Sequence, residues 1–267
     1  MLPTPDTSHV DYERIYEPAE DSFLLLDTLS SDTETAFLRS RFGNGGAAAG
    51  SSPQQPPPAP LVVEIGPGSG VVIGFVNAHA DTIFGTRHVL TAAVDVNRHA
   101  CTATGATAHR AAAAANGHDG VTATTAGVFL DAVQGDLAAP LRTRCVDVLI
   151  FNPPYVPTDE LPRQPSAADA ETDRAKTSFD HDSYLLALSY AGGRDGMETT
   201  DRLIDGLGEI LSPRGCAYVL LCAQNRPEEV KQRIREFGPE WLVETVGTSG
   251  KKAGWEKLQI IRIWREQ

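Results

Sequence analysis

Apolar residues arrive along this chain in short blocks, each closed by a polar or turn-forming residue. The run LVVEIG, residues 61–66, has the length and flanking glycine of a buried strand. The pattern returns at 89–95 (VLTAAVD), 128–136 (VFLDAVQGD) and 146–152 (VDVLIFN). Alanine-rich or amphipathic stretches separate these blocks, Arg98 to Ala115 being one. Strands alternating with helices predict crossover units, hence an α/β fold with a mostly parallel sheet and helices on both faces. Farther along, Leu203, Ile204, Leu207, Ile210 and Leu211 share one face of a helix over 198–211. CAYVLLC, 216–222, reads as a strand, and LQIIRIW, 258–264, as the closing one. Between them Arg226 to Phe237 forms a helix, with Pro227 in its first turn and Gly238 at its end. The count is six or seven strands in one domain, without internal repeats.

Three segments interrupt this rhythm. Residues 11–42 form an N-terminal helical segment whose clearest helix runs from Pro18 to Leu29, with acidic residues in the first turn where the helix dipole favours them. Residues 43–60, GNGGAAAGSSPQQPPPAP, are too rich in Gly, Ala and Pro to build a packed element, so a disordered insertion is expected. Residues 157–182 carry Asp159, Glu160, Asp169, Glu171, Asp173, Asp180 and Asp182, and are expected to form an acidic lid.

Charge narrows the partners. With 23 Lys+Arg against 35 Asp+Glu the net charge is −12, a surface that repels phosphate backbones and suits a basic protein better. The four cysteines, Cys101, Cys145, Cys216 and Cys222, have no CxxC spacing, so no metal site of the chain's own is expected. Few, scattered thiols point to a reducing compartment, the cytoplasm and also the nucleus. Met1 to Val10 is polar and proline-containing, unlike a secretory leader, and no segment has the roughly eighteen apolar residues of a membrane span.

The glycine-rich turn GPGSG, 66–70, directly follows the first strand, where glycines let the backbone turn sharply and approach a ligand. Val71 stands where the dinucleotide-binding fingerprint needs its last glycine. The GxGxG form of Gly66, Gly68 and Gly70, with Glu64 two residues upstream, resembles the first motif of class I methyltransferases, a Rossmann-like fold. Asp95 and Asp136 then close the second and third strands, positions suited to ribose hydroxyls and to an adenine edge beside Leu137. Either aspartate alone would read as a helix N-cap. Three acidic strand ends in register with one glycine turn do not.

NPPY, 152–155, follows the fourth strand. A carboxamide nitrogen is a poor nucleophile because its lone pair is delocalised. The Asn152 side-chain oxygen and the Pro153 carbonyl can each accept one N–H, which fixes the nitrogen and favours its rehybridisation as a methyl arrives. Pro154 has no N–H to compete, and Tyr155 offers a flat face. No general base is essential, because the product sheds its extra proton readily. An adenine N6 amine presents the same two donors, so the motif announces nitrogen chemistry without choosing the molecule.

Taken with EIGPGSG, NPPYVP and AGGRDGMETTDRLI (191–204), the segment YEPAEDSFLLLD (16–27) closely resembles the eukaryotic HemK-like glutamine methyltransferases. The resemblance covers nearly all the chain except 43–60 and 157–180. It implies S-adenosylmethionine-dependent N5-methylation of the glutamine in the Gly-Gly-Gln motif of the class I peptide-release factor. By the same resemblance Tyr16, Glu20 and Ser22 would enclose the cofactor, Glu64 and the three glycines would border its methionine moiety, and Asn152, Pro153 and Tyr155 would hold the glutamine. It further implies a heterodimer with a small zinc-binding activator, the zinc belonging to the partner. The apolar Gly127-Val128-Phe129-Leu130, on a strand at the sheet edge in this fold, would be an aggregation risk if bare, and a partner strand or a local loop could cover it.

Three other readings compete. Adenine N6-methylation of DNA or RNA shares NPPY but meets the −12 charge and lacks a base-reading domain; Lys251-Lys252 with Arg262 and Arg265 is too small a basic tract to reverse this. Methylation of a metabolite or of lysine makes less use of Asn152. A noncatalytic cofactor-binding scaffold leaves the intact NPPY unexplained.

Overall fold

The computed structural model describes residues 2–43, 58–116, 125–162, 183–250 and 257–266. The expected disordered insertion lies outside these apart from Gly43 and 58–60, and the acidic lid is described only over 157–162.

The N-terminal helices α1 (Glu20–Leu29) and α2 (Asp32–Phe42) precede β1 (Leu61–Ile65), α3 (Val71–Ala78), α4 (Ala80–Phe84), β2 (Leu90–Asp95), α5 (Arg98–Ala115), β3 (Val128–Gln134) and β4 (Val146–Phe151). A helical turn at 183–188, α6, leads to α7 (Glu198–Asp205), α8 (Leu207–Ile210), β5 (Leu211–Cys222), α9 (Pro227–Arg235), β6 (Trp241–Thr248) and β7 (Leu258–Arg265). The strands form one sheet in the order β3-β2-β1-β4-β5-β7-β6. All neighbours are parallel except β7, which runs antiparallel to both β5 and β6.

The central strands β1 and β4 are buried at nearly every position and mostly apolar, because both faces are covered. Val62, Val148, Ile150, Tyr218 and Leu220 point into a core under α1 to α4. Their neighbours Val63, Leu149, Phe151, Val219 and Leu221 point into a second core under α7 and α9. α2 is pinned by a buried ion pair: Arg262 Nη1 donates to Glu34 at 2.8 and 2.7 Å, and the Tyr218 hydroxyl donates to the same carboxylate at 2.7 Å. Arg262 is therefore no part of a basic surface tract.

The helix expected over 198–211 is two helices. Gly206 caps α7, α8 adds a single turn, and Leu211 already belongs to β5. The helix expected from Arg226 begins at Pro227, since Arg226 is left-handed (φ 50°).

Strand β3 breaks the two-sided rule. Phe129 and Ala132 pack inward beneath α5, where His109 meets the Phe129 ring edge-on. The connection to β4, residues 135–145, contains no helix. Among the described residues no layer therefore covers the opposite face, and Val128, Leu130 and Val133 stay 54, 53 and 43% exposed. The edge position matches the expectation from sequence, while Phe129 of the apolar stretch turns into the core rather than outward.

Candidate functional site

A cavity of about 410 Å³ opens at the carboxyl ends of β1, β2 and β4, the end where parallel sheets bind ligands. Its inner end is built by the glycine turn. Gly66, Gly68 and Gly70 all have positive φ (64°, 54° and 78°), a backbone path that side chains resist. Gly66 and Gly68 line the cavity. Gly70 does not: it caps α3, and a Cβ there would lie 2.6 Å from the Thr104 Cα, so its need for glycine comes from packing against α5.

Two buried carboxyls flank the turn. Ile73 N–H donates to Glu64 Oε2 at 2.8 Å, tying β1 to the first turn of α3. Burial nevertheless pushes the Glu64 carboxyl up to about 8, with the neighbouring Asp95 charge adding to the rise. Asp95 accepts from Asn97 N–H at 2.8 Å and from Gly68 N–H at 3.3 Å. These bonds offset only part of the cost of burial, which raises its carboxyl to about 6. The cap of α5 is Asn97, whose side chain accepts from His99 N–H, so Asp95 is not consumed as a helix cap.

The N-terminal segment closes over this end. Asn97 Nδ2 donates to the Arg14 carbonyl at 2.8 Å, and Val10 and Ile15 pack with Ala100 and Ala103. Arg14, Ile15 and Tyr16 thereby line the cavity. Beyond β3, Asp136 and Leu137 line it too, Leu137 held in a strained left-handed conformation (φ 49°). Arg202 of α7 donates to Asp136 Oδ2 at 2.5 Å across the rim.

The outer end is built around Asn152, the residue after β4. Asn152 Nδ2 donates to Asp21 Oδ2 at 3.1 Å, and the Tyr155 hydroxyl donates to the same oxygen at 3.5 Å. A carboxylate only accepts, so Asp21 dictates which way the Asn152 amide faces. The amide oxygen, Oδ1, is left buried without a hydrogen-bond partner. A buried acceptor left unmet is costly and marks a place where a donor is to arrive. Pro153, Pro154 and Tyr155 line the cavity beside it, and Leu185, Leu188 and Tyr190 wall the far side.

Of the residues singled out from sequence, Tyr16, Ser22, Glu64, Gly66, Gly68, Asp95, Asp136, Leu137, Asn152, Pro153 and Tyr155 line one cavity. Glu20 does not. It opens α1 and is exposed, while the helical rotation turns buried Asp21 and Ser22 inward. Asp21, Asn97 and Arg202 escaped the sequence reading. Asp21 carried one usable signal, an acid one helical step from the residues chosen. Among the described residues no cluster of His, Cys, Asp and Glu could hold a metal ion.

The chain is 31% identical over 270 residues to the eRF1 methyltransferase catalytic subunit mtq2 of Schizosaccharomyces pombe, spanning 99% of this chain and 96% of that protein. It is likewise 31% identical over 264 residues to methyltransferase HEMK2 of Homo sapiens, spanning 97% and 95%. The chain belongs to the eukaryotic HemK-like methyltransferase family. No family model matches it. Among solved structures the hMettl16 catalytic domain bound to MAT2A 3′UTR hairpin 1 superimposes with a TM-score of 0.52 at 15% identity, over 96% of this chain and 73% of that one, and shows the shared fold. HemK-like methyltransferases and their fold imply S-adenosylmethionine as the methyl source, and the inner end of the cavity fits it: a close-approach glycine turn and two buried carboxyls.

Proposed function

We propose that this HemK-like methyltransferase N5-methylates a protein glutamine, that of the Gly-Gly-Gln motif of a class I peptide-release factor. The observation that carries the reading is the buried, partnerless Asn152 Oδ1, aimed by Asp21. When bound, S-adenosylmethionine supplies an electrophilic methyl group. Gly66 and Gly68 would border its methionine moiety together with Glu64, Asp95 would accept from its ribose hydroxyls, and Asp136 with Leu137 would meet its adenine. Tyr16 and Ser22 would close the cavity over it.

Asn152 Oδ1 would then accept one N–H of the glutamine amide and the Pro153 carbonyl the other. Two acceptors orient the nitrogen and stabilise the positive charge it develops, while Tyr155 offers its ring to the planar amide. Asp21 does not touch the substrate in this scheme. It is a positioning residue that holds the Asn152 amide in the one orientation that presents an oxygen. A lysine acceptor would arrive as a cation and would not need this arrangement.

The half-exposed apolar face of β3 supports a partner as well. Val128, Leu130 and Val133 on an edge strand suit a second chain that pairs with β3 and covers that face, and the small zinc-binding activator fits this role. The name of the fission-yeast relative, a catalytic subunit, agrees.

The test incubates the full chain, alone and co-expressed with the activator, with labelled cofactor and release factor, duplex DNA or structured RNA. Label on the Gly-Gly-Gln glutamine, lost when that glutamine is replaced, is expected. Label in nucleic acid with none in protein would overturn the assignment.

A further inference from the structure

The AGGRDG stretch and the end of β5 meet behind NPPY. Asn225, in the short 3-10 turn Ala223–Asn225 that follows β5, is almost wholly buried. Its Nδ2 donates to the Tyr155 carbonyl at 3.1 Å, the Asp195 carbonyl at 3.0 Å and, more weakly, the Gly196 carbonyl at 3.4 Å. Its Oδ1 accepts from Cys222 N–H at 2.8 Å, which orients the amide. One side chain thus fastens the NPPY backbone to the end of β5 and to the glycine-rich loop together.

The loop holds NPPY from a second side. Val156 N–H donates to the Tyr190 carbonyl at 3.0 Å, and Gly192 N–H donates to the Val156 carbonyl at 2.8 Å. Thr158 and Gly193 exchange two more bonds at 3.0 Å. A Cβ on Gly192 would overlap the Pro154 carbonyl, and one on Gly196 would overlap that of Tyr155. Asp195 adopts a left-handed conformation (φ 56°) to bring its carbonyl to Asn225. A strained non-glycine backbone persists where its surroundings over-determine it.

We infer that Asn225 is a positioning residue for methyl transfer, fixing through the Pro154–Tyr155 backbone where Asn152, Pro153 and Tyr155 stand in the cavity. The inference rests on the reading of NPPY as the acceptor platform but not on which acceptor it holds. Asn225 lies outside the glycine turn, so its loss spares the cofactor end.

The test compares Asn225→Asp, an isostere that keeps the Cys222 bond but turns a carboxylate toward three carbonyls, with Gly192→Ala, which crowds Pro154 from the loop side. Turnover is measured on whichever acceptor the wild-type chain labels (release factor, DNA or RNA). A wrong acceptor class therefore sinks the functional reading without touching this one. Misplacing reacting groups by about 1 Å costs on the order of 10²-fold in rate. Each variant that folds is expected to lose about 10²-fold in kcat, with KM for the acceptor and cofactor affinity by calorimetry each within about threefold. Unchanged kcat, or kcat falling only together with cofactor affinity and melting temperature, overturns the inference.

Discussion

The two ends of the cavity are made by opposite means. The inner end is local and backbone-built: three glycines among the five residues after β1 turn on positive φ angles, and two carboxyls sit at neighbouring strand ends. The outer end is assembled from side chains far apart in sequence, with Asp21 reaching Asn152 across 131 residues and Asn225 reaching Tyr155 across 70. A backbone cradle holds a ligand and tunes affinity. A network of oriented amides sets geometry, and geometry sets rate.

The comparison can be broken at each end. The largest effect is expected for Asn152→Ala, which removes the oriented acceptor: kcat should fall by about 10²–10³-fold while calorimetry finds cofactor affinity nearly intact. A matching loss of affinity would merge the two ends. Asp95→Ala should do the reverse. Losing bonds to a charged group costs about 1.5–3 kcal/mol, roughly 10- to 150-fold in cofactor dissociation constant, with kcat at saturating cofactor much less affected.

A pH series sharpens the inner end further. Asp95 is raised to about 6, and ribose hydroxyls donate best to its ionised form, so binding there competes with a proton. Cofactor affinity should climb by up to about tenfold per pH unit below 6 and level off above it, where Asp95 is already ionised. Stability of the ligand-free chain should move the other way. The folded state holds protons on Asp95 and Glu64 that the unfolded chain has released, so stability falls as pH rises from about 4 toward 8. Thermal melts that rise over that window would contradict this assignment. The smallest effect is expected at Arg202→Ala. Its ion pair with Asp136 is half exposed on both sides, and such pairs are worth about 0–1 kcal/mol, so cofactor affinity should change by less than about fivefold.

The same contrast explains what could be read from the sequence. The glycine turn, Asp95 and NPPY were visible because each is a local pattern at the end of an apolar strand. α5 was visible from its alanine-rich run. α3, VVIGFVNA, was not: it is buried all round and shows no amphipathic period. β6 mixes Glu244 and Thr245 into an edge strand that is only partly buried, so its alternation is weak. The family resemblance points to Glu20 where the fold turns Asp21 inward, because one residue at a helix start is about 100° of rotation, a phase that only packing decides. Asn225 and Arg202 left no trace at all, since no spacing along a chain encodes a contact made through the fold.

The central claim is that Asp21 serves catalysis only by aiming the Asn152 amide, and a double-mutant cycle in single-turnover methyl transfer tests it most directly. Asp21→Ala alone should slow transfer by about 10²-fold, and added to Asn152→Ala it should slow transfer no further, because there is no oxygen left to aim. Multiplying losses in the double variant would mean that Asp21 acts on its own account, and the proposed acceptor geometry would be wrong.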